Sequence, residues 1–382
     1  MRPLKISKKT KANILLVLVF LCSPVMAIGA NLSETTRLAS KGDAVAQTDL
    51  AGMYYEGKGV PQDYQKAFEW YQKAANQGEA SAQSNIGAMY YEGKGAPQDY
   101  QKAFEWYQKA INQGEASAQS NIGLMYYEGK GVPQDYQKAF EWFTKAANQG
   151  YGRAQSNVGA MYFKGKGVPQ DYQKALDWLT KAANQEDVTA QSNVGAMYFK
   201  GEGIPQDYQK ALDWLTKAAN QEDVTAQYNI GVMYYEGKGV HQDYKKAFEW
   251  FTKAANQENV EALSSLGLMY ANGTGVRQDY KKAFDLLTKA ANQGQIGALN
   301  SLGLMYAKGT GVRQDYKKAF DLFTKAANRG APSSQMNLGL IYKDGIGTSQ
   351  NYRKAKEWYG KACDNGLQES CDAYKELNEL GF

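Results

Sequence analysis

The sequence is poor in the residues that build metal and redox sites. Its 382 residues include three cysteines and one histidine, His241. A structural zinc site needs about four ligands, drawn mostly from cysteine and histidine. With a single histidine and no second cysteine pair, we expect no metal site, and no pattern in the chain calls for a cofactor.

The chain also lacks an excess of charge of either sign once its first residues are set aside. Lysine and arginine number 44, and aspartate and glutamate number 39. Five of the basic residues lie at the N-terminus: Arg2, Lys5, Lys8, Lys9 and Lys11. The rest of the chain is balanced, whereas nucleic-acid binding depends on a basic footprint. A nucleic-acid partner is therefore not expected.

Long apolar runs are missing, with the exception of "ILLVLVFL", which starts at Ile14. It follows the basic residues and precedes "CSPVMAIGA", which offers small residues at Ala27 and Ala30. Together these features predict a secretory signal peptide over residues 1–30. The run is short for a membrane span, so we expect no integral span after cleavage; an uncleaved anchor is the alternative. Export to the periplasm or beyond follows from this reading.

Beyond residue 43 the sequence repeats itself every 36 residues. The stretch "MYYEGKGVPQDYQKAFEWYQKAANQG" begins at Met53, and a near-identical stretch begins at Met89. Further copies start at Met125, Met161, Met197, Met233, Met269, Met305 and Ile341. Repetition at a fixed period indicates one supersecondary unit used many times. We assign nine copies to residues 44–367.

Each copy predicts two helices. In the first copy Ala46, Leu50, Met53 and Tyr54 share one face of a helix, called A here. Helix B follows, and its face comprises Ala67, Phe68, Tyr71, Ala74 and Ala75.

The turn between the two helices contains strong local signals. Gly57 and Gly59 can end helix A in a left-handed conformation, Pro61 stiffens the exit, and Asp63 is a good N-cap for helix B.

Two short amphipathic helices cannot bury their apolar faces alone, so successive copies must stack. The predicted fold is all-α: a right-handed α-solenoid superhelix of helix-turn-helix repeats. A glycine recurs inside helix A from Gly87 to Gly339, which indicates a close approach of another helix at that point. Residues 31–43 and 368–382 are expected to form capping helices at the two ends.

The motifs "MYYEGKGV", "QDYQKAFEWY" and "KAANQG" are similar to those of the Sel-1-like repeat family, relatives of the tetratricopeptide repeat. The resemblance covers all nine copies. It implies a monomeric scaffold, exported in bacteria, that binds protein partners along a concave groove and performs no reaction. In an exported chain Cys363 and Cys371 predict a disulfide, and their spacing also resembles that of the cysteine-rich members of the family.

Candidate partner-binding residues are those that vary between copies on one face of helix A, which in the first copy comprises Val45, Thr48, Gly52 and Tyr55. The position of Tyr55 forms an aromatic ladder: Tyr55, Tyr91, Tyr127, Phe163, Phe199 and Tyr235. Ala271, Ala307 and Lys343 replace the ring in later copies, which suggests an exposed position. Arg153, Tyr228 and Glu261 mark further variation on this face. The alternative is that the rings pack between repeats.

Helix B carries a second ladder, of tryptophan: Trp70, Trp106, Trp142, Trp178, Trp214, Trp250 and Trp358. Leu286 and Leu322 take its place in copies seven and eight, and substitution by leucine favours a packing role.

Motifs for catalysis are missing. A serine β-lactamase needs Ser-x-x-Lys and Lys-Thr-Gly, and neither is present. His241 stands at a turn position where earlier copies have proline, so a Ser-His-Asp triad is not indicated, and "EGKG" lacks the Ser or Thr of a phosphate-binding loop. We expect no enzyme. Two alternatives remain: a β-lactam-binding or hydrolysing enzyme, and a peptidoglycan- or carbohydrate-binding envelope protein.

Overall fold

The computed structural model describes residues 32–382, which contain twenty α-helices and no strand. The predicted signal peptide and Asn31 lie outside the described residues. The all-α prediction and its 36-residue period are therefore confirmed over the described part of the chain.

Each copy contains one A helix and one B helix. The A helices are α2 Ala44–Glu56, α4 Ala80–Glu92, α6 Ala116–Glu128, α8 Gly152–Lys164, α10 Val188–Lys200, α12 Val224–Glu236, α14 Val260–Asn272, α16 Ile296–Lys308 and α18 Pro332–Asp344. The B helices are α3 Tyr64–Asn76, α5 Tyr100–Ile111, α7 Tyr136–Asn148, α9 Tyr172–Ala183, α11 Tyr208–Asn220, α13 Tyr244–Asn256, α15 Tyr280–Asn292, α17 Tyr316–Ala327 and α19 Tyr352–Asp364. A single helix stands at each end, α1 Leu32–Ser40 and α20 Gln368–Glu379.

The described chain forms two compact units, residues 32–206 and Asp207–Phe382. Within each unit a helix packs against the next one along the chain, as α2 does on α3 and α3 on α4. Neighbouring A helices also touch, as α4 and α6 do in the first unit and α14 and α16 in the second. This is the contact pattern of a solenoid of helix pairs.

The turn between helices A and B has the predicted geometry. Gly57 ends α2 with φ +72°, and its N–H donates to the carbonyl of Met53. The N–H of Asp63 then returns to the carbonyl of Tyr54 at 2.8 Å. The carboxylate of Asp63 accepts a hydrogen bond from the backbone N–H of Lys66 at 3.0 Å, which caps helix B.

The recurring glycine of helix A lies where helix B of the same copy approaches. A Cβ at Gly123 would lie 2.8 Å from Cδ1 of Phe143, and one at Gly159 would lie 2.6 Å from Cγ of Leu179. The predicted close approach is confirmed. The first copy carries Ala51 at this position, buried in one cluster with Tyr71.

The tryptophan ladder packs against the buried clusters, which agrees with the predicted packing role. Trp142 lies against the buried cluster that contains Ile122, and Trp178 against the cluster that contains Val158. A lysine three residues further along helix B covers each ring, for example Lys145 at 4.1 Å from the Trp142 centroid. The indoles are half-buried as a result.

Both ends of the described chain are covered by their single helices. Ala39 of α1 is buried with Leu50 of α2. At the other end Cys363 and Cys371 form a disulfide with a Cα–Cα distance of 4.7 Å, which ties α19 to α20. Leu377 of α20 is fully buried beside Tyr359.

Candidate partner-binding surface

The variable position of Thr48 lies between A helices and does not face solvent. Ser84 of α4 and Ser117 of α6 share a hydrogen bond of 2.8 Å, and Ser334 of α18 donates to Asn300 of α16 at 2.8 Å. The residue at this position is buried in each of the first eight copies: Thr48, Ser84, Ser120, Ser156, Ser192, Tyr228, Ser264 and Asn300. Its variation reflects packing between neighbouring copies.

Tyr228 belongs to this buried series, so its predicted exposure is wrong. Only 5% of its surface is accessible. Its ring lies 5.5 Å from the ring of Phe251 on the B helix of the same copy. Because the large side chain fills space inside the repeat, Tyr228 is not available as a surface contact.

The first two members of the aromatic ladder are also buried, which corrects their predicted exposure. Tyr55 is 8% accessible and Tyr91 is 4% accessible. The hydroxyl of Tyr55 donates to Glu92 of the next A helix at 2.6 Å, and Lys94 donates to the same hydroxyl at 3.0 Å. Lys94 and Glu92 form an ion pair of 2.8 Å. The group links two adjacent copies.

The same arrangement recurs one copy later and shifts the tyrosine pKa values. Tyr91 donates to Glu128 at 2.5 Å, and Lys130 pairs with Glu128 at 2.8 Å. Burial raises the pKa of Tyr91, and the hydrogen bond to the carboxylate raises it further. The same two causes raise the pKa of Tyr55. Both phenols are thus held as hydrogen-bond donors between repeats.

The later members of the ladder are half-buried: Tyr127, Phe163, Phe199 and Tyr235. Three of them meet the first tyrosine of the following B helix edge-on. The centroid distances are 5.0 Å for Tyr127 to Tyr136, 5.2 Å for Phe163 to Tyr172 and 5.2 Å for Tyr235 to Tyr244. These ring contacts join helices A and B of one copy, whereas the alternative weighed from the sequence was packing against neighbouring repeats.

The two charged candidates occupy different surroundings. Arg153 is half-buried in the first turn of α8. Its charge lowers the pKa of Asp187, but burial raises that pKa more strongly. Glu261 is exposed in the first turn of α14. Of all the residues proposed from the sequence, Glu261 is the most accessible.

An apolar row lies on the A helices of the second unit, at the variable position of Gly52, and the sequence analysis did not name its residues. Leu268, Leu304 and Leu340 occupy the same position in α14, α16 and α18, and we call them the leucine row. Leu268 and Leu304 are half-buried and Leu340 is 43% accessible. Earlier copies bury the residue at this position: Gly52, Ala88, Leu124, Ala160, Ala196 and Val232. Leu124 of copy three is also a leucine and is buried, so the residue type alone did not signal exposure in copies seven to nine.

Charged groups accompany the leucine row. Glu261 is exposed at the start of α14, and Lys343 of α18 pairs with Glu376 of α20 at 3.2 Å. The aromatic ring found in the earlier copies is reduced to alanine at Ala271 and Ala307. The surface therefore combines partly exposed apolar side chains with charges of both signs.

Over residues 32–382 no group of three or more His, Cys, Asp or Glu side chains has the arrangement of a metal site. His241 is exposed in the turn between α12 and α13.

The family model of the Sel1 repeat matches nine segments of the chain. The matched segments are 44–79, 80–115, 116–151, 152–187, 188–223, 224–259, 260–295, 296–330 and 332–367. The chain belongs to the Sel1 repeat family. Among curated proteins none matches it significantly.

Two solved structures of bacterial Sel1 repeat proteins are similar over most of the chain. One is a protective antigen of uropathogenic Escherichia coli, with 32% identity, 92% of this chain and 83% of that chain covered, and a TM-score of 0.65. The other is a Sel1 repeat protein from Oxalobacter formigenes, with 31% identity, coverage of 86% and 93%, and a TM-score of 0.59.

These similarities define a Sel1 repeat scaffold, a class that typically serves in protein interactions. In the described range every helix is too short or too polar to cross a lipid bilayer.

Proposed function

We propose that this Sel1 repeat protein is an exported, non-catalytic scaffold that binds a protein partner on the A-helix side of residues 207–382. The observation that carries the proposal is the leucine row, where three successive A helices present leucine at one position. Apolar side chains repeated at neighbouring positions of a stacked array offer a partner a continuous contact.

The physical basis is burial of apolar surface with a charged border. Burying apolar area contributes roughly 25 cal/mol per Å², and partly exposed leucines have area left to bury. Glu261 and Lys343 lie on two helices of the row itself and Glu376 on α20, and together they supply charges of both signs. Such charges guide the orientation of a partner more than its affinity.

The two alternative functions, a β-lactam-directed enzyme and a carbohydrate-binding protein, have less support. A β-lactam-directed enzyme would need the Ser-x-x-Lys motif that the sequence lacks. A carbohydrate binder would need open aromatic faces. In seven copies a lysine ammonium covers the indole ring on helix B, as Lys73 covers Trp70 at 3.8 Å.

Export is proposed from two features of the chain. The basic and then apolar N-terminus has the order of a signal peptide, and disulfides persist mainly in oxidising compartments. The bond between Cys363 and Cys371 fits a periplasmic or extracellular destination. The periplasm and the cell exterior are both compatible with these features.

The proposal is tested by capture from bacterial cell envelopes with the chain from residue 31 to 382. Leu304→Lys and Leu340→Lys place charge on the leucine row and are expected to reduce capture of a discrete partner. Leu380→Lys is the matched control, because Leu380 is 63% accessible and lies outside the row. Equal capture by all variants would reject this surface. Truncation of the buried Tyr228 is unsuitable, since it would disturb the repeat itself.

A further inference from the structure

A cavity of about 620 Å³ lies among α15, α16 and α17 in the second unit. Leu299 and Leu302 of α16 are buried in its wall, with Phe284 of α15 and Leu322 of α17 beside them. Two cations, Lys325 and Arg329, also line it, and both are exposed. Thr288, Asn292 and Asn328 complete the lining with Tyr306, so the cavity combines apolar side chains with neutral polar groups and two exposed cations.

The other copies show which group fits this space. Trp142 in copy three packs onto the cluster that contains Ile122. Five repeats later the equivalent residues are Leu322 and Leu302, since 180 residues separate each pair. The side chain that fills the junction between copies two and three is an indole, and at the junction between copies seven and eight it is a smaller leucine.

A second substitution pair changes the polarity of the same junction. In copy three Gln149 donates a hydrogen bond to Gln119 at 2.9 Å. The equivalent residues at the cavity are Arg329 and Leu299. Leucine cannot accept this bond, and Arg329 instead donates to the carbonyl of Gly294 at 2.6 Å. The exchange replaces a neutral amide pair by an apolar wall and a fixed guanidinium.

The lysine that normally covers the indole is retained. Lys145 lies 4.1 Å above the Trp142 ring, and Lys325 is its equivalent. Within residues 32–382 no aromatic ring lies under Lys325, because Leu322 stands where the indole would be. The cavity therefore keeps the cation of a cation–π pair and lacks the ring.

We propose that this cavity binds an aromatic side chain of a partner protein, of indole size, next to an acidic residue. The ring would occupy the place that tryptophan fills in other copies, beneath Lys325, and the acid would meet Arg329. This inference rests on the proposed scaffold function and names a second contact, which the B helices α15 and α17 form together with α16.

The test uses the chain from residue 31 to 382 and a blocked tripeptide, acetyl-Asp-(5-fluorotryptophan)-Asp-amide. Binding is followed by broadening of the ligand's fluorine NMR signal, which the seven tryptophans of the protein do not obscure. Leu322→Trp fills the cavity with the residue that seven other copies carry, and it should weaken binding by at least about 10-fold. Leu286→Trp is the matched control one copy earlier, outside the cavity lining, and should leave binding unchanged.

Arg329→Gln provides an independent variant, since glutamine is the residue of most other copies. This substitution should weaken binding of the diacidic peptide by about 5-fold and leave binding of the neutral acetyl-5-fluorotryptophanamide unchanged. Equal binding by wild type and Leu322→Trp, or equal loss with Leu322→Trp and Leu286→Trp, would overturn the proposal. So would binding of free 5-fluoroindole-3-acetate without binding of the peptide, because the occupant would then be a small aromatic acid.

Failure of this inference can be told from failure of the scaffold function. If the peptide does not bind but a partner is captured through the leucine row, the cavity proposal is rejected and the scaffold proposal is supported. If the peptide binds in the predicted way and Leu304→Lys does not change capture, the leucine row is rejected as the partner-binding surface and the cavity proposal is supported.

Discussion

Glycine at the single-residue scale has two different roles within one helix. Gly159 in α8 faces Leu179 and the carbonyl of Ala175, where a Cβ would lie 2.6 Å and 3.0 Å from the nearest atoms. Gly152, in the first turn of the same helix, stands where six of the other eight copies have alanine or valine. Only the first glycine is required by packing.

These two positions give a matched pair of substitutions. Gly159→Ala should lower the free energy of unfolding by about 1 to 2 kcal/mol, because overpacking outweighs the better helix propensity of alanine. Gly152→Ala should raise it by up to about 1 kcal/mol. Urea denaturation followed by circular dichroism measures both. Stabilisation by Gly159→Ala would show that the helices do not approach as closely as described.

In copies four to six, one residue in the turn that follows helix B has a strained backbone conformation. Glu186, Glu222 and Glu258 have φ of +64°, +66° and +61°, where other copies have glycine with positive φ. A side chain in this region costs roughly 1 kcal/mol. Glu186→Gly should therefore stabilise the protein by about that amount, and Gly150→Glu should destabilise it similarly. Thermal unfolding of the two variants checks the pair, and shifts in the same direction would contradict it.

Sequence reasoning at this scale identified which positions vary but not which are exposed. Ala271 and Lys343 suggested that the Tyr55 position faces solvent. Tyr55 is instead buried against Glu92, while in the last copy Lys343 pairs with Glu376. The same position thus has different neighbours in different copies. A comparison between the sequences of the copies cannot reveal these different neighbours, because they belong to helices whose placement only the structure gives.

At the scale of the element, the N-cap of helix B is the most regular feature. Aspartate accepts the backbone N–H three residues on, which lowers its pKa: Asp63, Asp99, Asp135, Asp171 and Asp207. A carboxylate with a lowered pKa in the folded state stabilises it above the unfolded pKa, about 3.9. This stabilisation is lost as pH falls through the folded-state pKa.

The last copy supplies the control for this pH dependence. Asn351 caps α19 through the same bond, to the N–H of Lys354 at 3.0 Å, and does not titrate. Replacing Asp63, Asp99, Asp135 and Asp171 by asparagine should keep the caps and flatten the loss of stability below about pH 4. Acid titration by circular dichroism compares this variant with wild type. Identical acid midpoints would exclude a contribution from the caps.

The disulfide acts on one element, α20. Cys363→Ser with Cys371→Ser should remove about 2 to 3 kcal/mol of stability from the attachment of this helix. Because repeats contact mainly their neighbours, the loss should stay local. Hydrogen exchange should become faster in residues 368–379 and remain unchanged in α2 to α7. Faster exchange throughout the described chain would contradict a local role.

For the whole molecule, the period and the helix signals were sufficient to predict the repeat architecture. Most of the nine copies share the same glycines, aspartate caps and apolar faces, so the same physical pattern recurs along the chain. The leucine row and the cavity were not predicted, because the exposure of Leu304 and the space beside Leu322 depend on the neighbouring helices. A departure from the repeat has a consequence only through the side chains that surround it.

The central claim is that a partner contacts the A-helix side of residues 207–382. Site-specific photo-crosslinking in bacterial cells tests it most directly, with a photoreactive residue at Leu268, Leu304 or Leu340. The same residue at exposed positions of the B helices, Lys245, Lys281 or Lys317, is the control. If the partner binds there, we expect one discrete protein adduct from the leucine row and none from the control positions. Adducts from the control positions alone would contradict it.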